Sequence, residues 1–374
     1  MTMPEARPRA RDLGITIGVL PTGPLNAIAD IEGVKVGHCT VWEGESPGKH
    51  GSGPARTGIT AIVPPGDYFG EPLYAGCSVL NGCGEIIGLT SINELGSLDA
   101  PILLTNSMSI GIAFHATARY LCARDERIGR NDVAMPVVGE CDDSYLNDAA
   151  GFHVREEHVV QALESASEGP VAEGTVGSAT GLHCFDFKGG IGTSSRQLPA
   201  QYGGYTVGVL VNTNFGDRHN LTIAGVPVGR EIQDLMPQEI GNDKPAEGSC
   251  IVVVATDAPL HPLGLQRIAR RAGLGLARTG STAHNGSGEI FLAFSTGVRI
   301  PRQLTEAEIE IQIRLVPESS QALNLLFDAT VEATEEAVLN ALFRATTVSG
   351  IGGHILYELP IERTQNILHK YGRL

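Results

Sequence analysis

Aromatic side chains make up only 5% of the 374 residues, and Trp42 is the single tryptophan. So sparse a supply points to a small binding pocket rather than a broad aromatic cleft. Positive charge is short as well: 27 Lys and Arg stand against 42 Asp and Glu, a net charge of −15. A chain of that sign is poorly suited to neutralising phosphates, which argues against a nucleic-acid binder. It is equally poorly suited to anionic lipid. Long apolar runs are missing. The longest strongly apolar run, Cys250–Ala255, is far shorter than the ~20 residues a membrane helix needs. Near the N-terminus, Arg7, Arg9 and Arg11 are followed by Gly18, Pro21, Gly23 and Pro24, which break up any signal-like apolar stretch. The seven cysteines are odd in number and none has C-x2-C spacing, so free thiols in a reducing cytoplasm are expected. The eleven histidines show no metal-ligand spacing and H-E-x-x-H is absent. Neither a metal nor a cofactor is expected.

Hydrophobic residues reach 42%, enough for a sizeable core, and 47 glycines are scattered through apolar sequence. The length allows two domains or one large one. No internal repeat and no Ser/Gly linker divides the chain, so residues 1–374 read as one unit. Strand-like runs are predicted at Ile15–Val19, Val34–Thr40, Gly58–Val63, Tyr205–Asn212, Ile251–Ala255 and Ile290–Ser295. Helical patterns cover Ser107–Cys122, His153–Ser167, Pro259–Leu276 and Glu318–Ala345. In the last, Leu323, Leu326, Phe327, Val331, Val338 and Leu342 keep the 3–4 spacing. The mixture predicts an α/β or α+β layered fold.

Two glycine-rich segments resemble known motifs but lack their requirements. Gly44-Glu-Ser-Pro-Gly48 matches G-x-S-x-G, yet Pro47 supplies no N–H just past Ser46 and the surroundings are polar, so a surface turn is predicted. Lys188–Arg196 has the look of a phosphate cradle but fits neither phosphate-loop pattern, and a tight glycine turn is the better reading.

Gly248-Ser249 is more informative. The chain has six Gly-Ser pairs, so the dipeptide alone says little. Its context differs: the polar segment Met236–Gly248 reads as an exposed loop and runs directly into the apolar CIVVVA. An ordinary loop-to-strand turn is one reading. The other is self-cleavage, in which glycine permits a strained backbone and the serine hydroxyl attacks the preceding carbonyl. Hydrolysis would leave Ser249 as a new N-terminus, whose α-amine (reference pKa about 7.7–8.0) can act as base for its own hydroxyl.

Three further clusters could serve such a site. Ser287 and Glu289 lie two residues apart before a strand, so both face the same way in an extended segment; a plain polar turn is the alternative. Within Gly139–Asp148, the acids could bind a cationic amine and Tyr145 could donate to an oxyanion, or the segment is an acidic helix N-terminus. In Val211–Gly216 an asparagine at a strand end could fill an oxyanion hole, or form a turn.

Together, AEGSCIVVVATDAPL and HNGSGEIFLAFST resemble the P1 family of self-processing aminopeptidases. GVKVGHCT, NGCGEIIGL, LLTNSMSIG, FKGGIGTSSR and VNTNFG extend the resemblance along nearly the whole chain. The resemblance implies a four-layer αββα sandwich of α+β class, like the N-terminal-nucleophile hydrolases but with the connectivity of the ornithine acetyltransferases. It implies cleavage between Gly248 and Ser249 into an α chain of residues 1–248 and a β chain of 249–374, assembled as a homotetramer of αβ units. Ser249 would be the nucleophile, with Ser287 and Glu289 near its freed amine. Asn214 would be the oxyanion-hole amide, with Asn212 as fallback. Glu140 would hold the substrate's amine, and Tyr145 would be a further pocket and oxyanion group. Expected substrates are short peptides, amides and esters with small first residues such as Ala or Gly, D-alanyl compounds among them. An acyltransferase of the ornithine acetyltransferase type is the alternative, although those relatives use Thr where this chain has Ser249.

Overall fold

The computed structural model describes residues 7–130, 132–238, 248–303 and 310–374. Two mixed sheets lie face to face, each covered by helices. The first contains β1 (Lys35–Glu43), β2 (Ala55–Val63), β4 (Ile102–Thr105) and β5 (Val137–Glu140), in the order β1-β2-β4-β5, with Ile86–Ile87 at the far edge. The second contains β3 (Leu73–Gly82), β6 (Ile191–Gln197), β7 (Thr206–Phe215), β8 (Gly248–Thr256) and β9 (Gly288–Arg299). Its central order is β3-β9-β8-β7, with β6 paired to β7. Helices α1 (Ile110–Cys122) and α2 (Glu156–Glu164) cover the first sheet, and α3 (Pro262–Thr279) and α4 (Gln321–Arg344) cover the second. This is the expected four-layer αββα sandwich.

Strand alternation assigns each side chain to a layer. In β8, Cys250, Val252 and Val254 face α3 and α4, whereas Ile251, Val253 and Ala255 face the other sheet. Both faces are covered, so CIVVVA shows no polar alternation. In β9 the same division puts Phe291 and Ala293 toward the helices and Ile290 and Leu292 between the sheets. Strand β8 pairs antiparallel with β7, opposing Ser249 to Asn214, and parallel with β9, opposing Ser249 to Gly288. Three segments distant in sequence therefore end side by side.

The sequence boundaries need correction in places. Ile15–Val19 is not a strand, and it bends at Gly18, whose φ is +73°. Ile15 and Ile17 are buried, yet the backbone is satisfied by side chains: Arg196 donates to the Ile17 carbonyl (2.8 Å), and Val19 and Leu20 donate to Glu332 (2.9 and 3.1 Å). The helix predicted from Ser107 begins at Ile110 after a 3-10 turn, and the one predicted from His153 covers only Glu156–Glu164. Helix α3 starts at Pro262, where the missing N–H costs nothing, and the His261 side chain caps it. Of the predicted loop Met236–Gly248, residues 239–247 lie outside the described residues, and Gly248 already belongs to β8. Lys188–Arg196 is not a cradle. The Lys188 ammonium is turned into the core, and Arg196 is buried against Glu332 (3.1 Å) and Glu336 (2.7 Å). The turn Gly44–Gly48 lies between β1 and β2, with the Ser46 hydroxyl donating to the Gly350 carbonyl.

Candidate active site

Gly248 has φ +119°, a conformation glycine tolerates and L-residues rarely adopt. A Cβ there would also lie 2.3 Å from the Asn214 carbonyl oxygen and 2.8 Å from Phe215 Cα. Space and backbone geometry thus both require glycine before Ser249.

Ser249 is buried, 4% exposed, and its side chain lies on the face between the sheets. The Asn214 side chain, directly across the β7–β8 pair, points its Nδ2 at Ser249 Oγ (3.4 Å) and donates to the Asp142 carbonyl (2.9 Å). The His183 main-chain N–H donates to Asn214 Oδ1 at 3.2 Å, fixing which way the amide faces. Asn212 is two residues further along, opposite Ile251, and its side-chain oxygen accepts from Ser178 (2.9 Å). Of the two candidate amides, Asn214 is the one that meets Ser249.

Ser287 and Glu289 point the same way, as alternation requires, and the Ser287 hydroxyl donates to Glu289 Oε1. Their side is not that of Ser249 Oγ. Glu289 shares the helix-facing side of β9 with Phe291, so the pair flanks the Ser249 backbone from the opposite face of the sheet. Glu289 is fully buried and its second oxygen has no hydrogen-bond partner among the described residues. Burial pushes its pKa above the ordinary range, and the Ser287 hydroxyl opposes that shift.

Glu140 ends β5 and accepts from the Ser107 hydroxyl and from the Glu85 N–H (2.9 Å). A Cβ placed on Gly84 would lie 3.3 Å from Glu140 Oε1 and 3.6 Å from Gly288 Cα, so the carboxylate borders the start of β9. Burial raises its pKa, against the two hydrogen bonds. After Glu140 the chain runs through turns, and only a single 3-10 turn, Ala149–Gly151, follows Asp148, so no α-helix starts on the acids of this segment. Tyr145 and Asn214 share the wall of a cavity of about 630 Å3. The Tyr145 hydroxyl donates to the Gln238 carbonyl (2.8 Å), and its ring stacks on His354 at 4.4 Å.

Sequence reasoning missed Ser107, Cys141 and the His183 amide. Ser107 lies in LLTNSMSIG and Cys141 beside Glu140, but only the fold brings them to the site. The Cys141 thiol donates to the Asn212 carbonyl (3.8 Å). Burial pushes the Cys141 thiol up to about 12, so it remains protonated at neutral pH. Among the described residues, no three His, Cys, Asp or Glu side chains converge as a metal site. None of the described helices is long and apolar enough to cross a membrane.

A buried hydroxyl opposed by an amide donor, next to a backbone only glycine can adopt, is suited to acyl chemistry on the peptide bond that precedes it. Comparison with known proteins points the same way. The family model "Peptidase family S58" matches residues 26–356. The chain is 41% identical to a beta-peptidyl aminopeptidase of Sphingosinicella microcystinivorans, across 98% of this chain and 93% of the relative. The structure of the PH0078 protein of Pyrococcus horikoshii OT3 superposes with a TM-score of 0.91 at 46% identity, covering 98% of this chain and all of that one. The L-aminopeptidase D-Ala-esterase/amidase of Ochrobactrum anthropi, described as a variant of the Ntn hydrolase fold, gives 0.90 at 40% identity, with 98% and 100% coverage.

Proposed function

The chain belongs to peptidase family S58, and from that premise we propose that it cleaves itself between Gly248 and Ser249 and then acts as a serine aminopeptidase. The observation that carries the proposal is the opposition of Ser249 Oγ and Asn214 Nδ2 beside a Gly248 held at φ +119°. In the first step Ser249 Oγ attacks the Gly248 carbonyl carbon. The Oγ proton passes to the Ser249 nitrogen, the C–N bond breaks to leave it as an amine, and the chain is joined through an ester. Water then hydrolyses the ester, giving a Gly248 carboxylate and a free Ser249 amine.

In turnover that amine takes the proton of its own hydroxyl as Oγ attacks the substrate's carbonyl carbon. Asn214 Nδ2 donates to the oxygen on which negative charge develops. The departing amine or alcohol takes up the proton, and water releases the acyl group from Ser249. Ser287 and Glu289, flanking the Ser249 backbone, hold the freed amine. Glu140, oriented by Ser107 and the Glu85 N–H, receives the substrate's terminal ammonium. Tyr145 lines the cavity beside Asn214 and supplies a second donor, its hydroxyl, once it is released from the Gln238 carbonyl.

The substrates are short peptides, amides or esters with a small first residue. The similarity to a beta-peptidyl aminopeptidase favours β-residues beside L-α-residues as that first residue. L-alanyl, D-alanyl and β-alanyl p-nitroanilides separate these preferences in one assay. Ser249→Ala is expected to abolish turnover of all three while leaving the fold intact, and Ser249→Cys to retain self-cleavage, since a thiol is a competent nucleophile. Undiminished turnover by folded Ser249→Ala would refute the proposal.

A further inference from the structure

Lys188 closes the short hairpin His183–Lys188 and is wholly enclosed. Among the buried cations, Arg56 and Arg218 donate to main-chain carbonyls, while Arg196 meets the carboxylates of Glu332 and Glu336. The Lys188 ammonium donates to three main-chain carbonyls: Ala179 (2.9 Å), Leu182 (2.8 Å) and Gly189 (2.7 Å). These take all three N–H bonds that an ammonium has. Burial lowers its pKa to about 7, with Cys184 and Asp143 opposing through their charges.

The Leu182 carbonyl and the His183 N–H belong to the same peptide group. That N–H donates to Asn214 Oδ1 (3.2 Å), and Asn214 Nδ2 faces Ser249 Oγ (3.4 Å). From this continuous line we infer that Lys188 is a positioning residue, acting through the Leu182–His183 peptide to orient and polarise the Asn214 amide against Ser249. The inference rests on the role proposed above for Asn214. Hydrogen bonds in series reinforce one another where the dielectric is low, and the Lys188 ammonium at the head of the series, in its protonated form, aligns every dipole behind it. The line also fixes the sense of the amide, with oxygen toward His183 and nitrogen toward Ser249. A mere staple of residues 179–189 would affect stability but would not act selectively on the transition state.

The test follows the rate of Gly248–Ser249 cleavage in full-length chains from cell-free synthesis, for wild type, Lys188→Met, Asn214→Ala and the double variant. Lys188→Met is expected to slow cleavage roughly tenfold, less than the ~10²–10³ expected for losing the direct donor in Asn214→Ala. The double variant is expected to match Asn214→Ala within about twofold, because both changes break one line. Matured Lys188→Met is expected to lose kcat on L-alanyl p-nitroanilide with KM nearly unchanged. Lys188→Arg, which keeps the buried cation, is expected to retain most of the rate. Wild-type cleavage in Lys188→Met, multiplicative losses in the double variant, or a change in KM alone would overturn the relay. So would failure of both Lys188 variants to fold, which would leave Lys188 as a staple. An Asn214→Ala chain that cleaves normally would overturn the Asn214 role and the relay together. A wild-type chain that neither cleaves nor hydrolyses the anilide would instead overturn the proposed function itself.

Discussion

Gly248 and Asn214 constrain each other at the residue scale. The carbonyl of Asn214 occupies the place a Cβ on residue 248 would need, and its side chain faces Ser249. Gly248→Ala is therefore expected to add strain on the order of 1–3 kcal/mol and to displace Ser249 from the amide. Uncut precursor should accumulate on a gel, with the fold retained by circular dichroism. Glu289 gives a pH prediction. Its raised pKa means that the carboxylate needed to hold the Ser249 ammonium is lost as pH falls, at higher pH than for an ordinary glutamate. The acid limb of kcat/KM, to which the Ser249 amine also contributes because it must be neutral to act as base, should lie above the usual carboxylate range and should shift, without disappearing, in the weakly active Glu289→Gln. Motif resemblance made Ser249, Ser287, Glu289 and Glu140 legible in the sequence. It could not choose between Asn212 and Asn214, because that choice depends on the β7–β8 register. Ser107, Cys141 and Lys188 act through contacts across the fold, and no local pattern marks them.

Among the elements, α4 shows how far periodicity carries. Its 3–4 spacing identified one apolar face, but the structure buries Glu332, Glu335 and Glu336 on other faces as well. The N-terminal arm covers that side: Arg11 pairs with Glu336 (2.8 Å), and Val19 and Leu20 donate to Glu332. Arg196 is the buried cation of this cluster. Arg196→Met would leave Glu332 without a cation, while Glu336 keeps Arg11, and is expected to cost about 3–5 kcal/mol in urea unfolding. A loss below about 1 kcal/mol would mean that the cluster relaxes around the gap. The strands Leu73–Gly82 and Ile191–Gln197 escaped the sequence reading because Gly76, Gly82 and Gly192 interrupt their apolar pattern. At Gly192 a Cβ would lie 1.9 Å from the Ala337 carbonyl, so glycine there lets α4 approach β6 rather than marking a turn.

For the whole molecule, the bond between Gly248 and Ser249 divides the sequence but not the architecture. The bond falls just after the first residue of β8, so the rest of β8 and β9 follow it and β7 and β3 precede it, yet the four strands are ordered β3-β9-β8-β7 in one sheet. Helices α3 and α4 cover strands from both sides of it. The two pieces are therefore expected to coelute in size-exclusion chromatography without denaturant. Separate elution of the natively handled pieces would contradict the shared core.

The most direct test of the central claim is the intact mass of the purified protein under denaturing conditions, beside Ser249→Ala. The account predicts two wild-type masses of about 26 and 13 kDa, the shares of residues 1–248 and 249–374 in 39.4 kDa, and one uncut mass for the variant. N-terminal sequencing of the smaller piece should begin at Ser249. A single 39.4 kDa wild-type chain that still hydrolyses L-alanyl p-nitroanilide would contradict it, because the nucleophile would then be another residue.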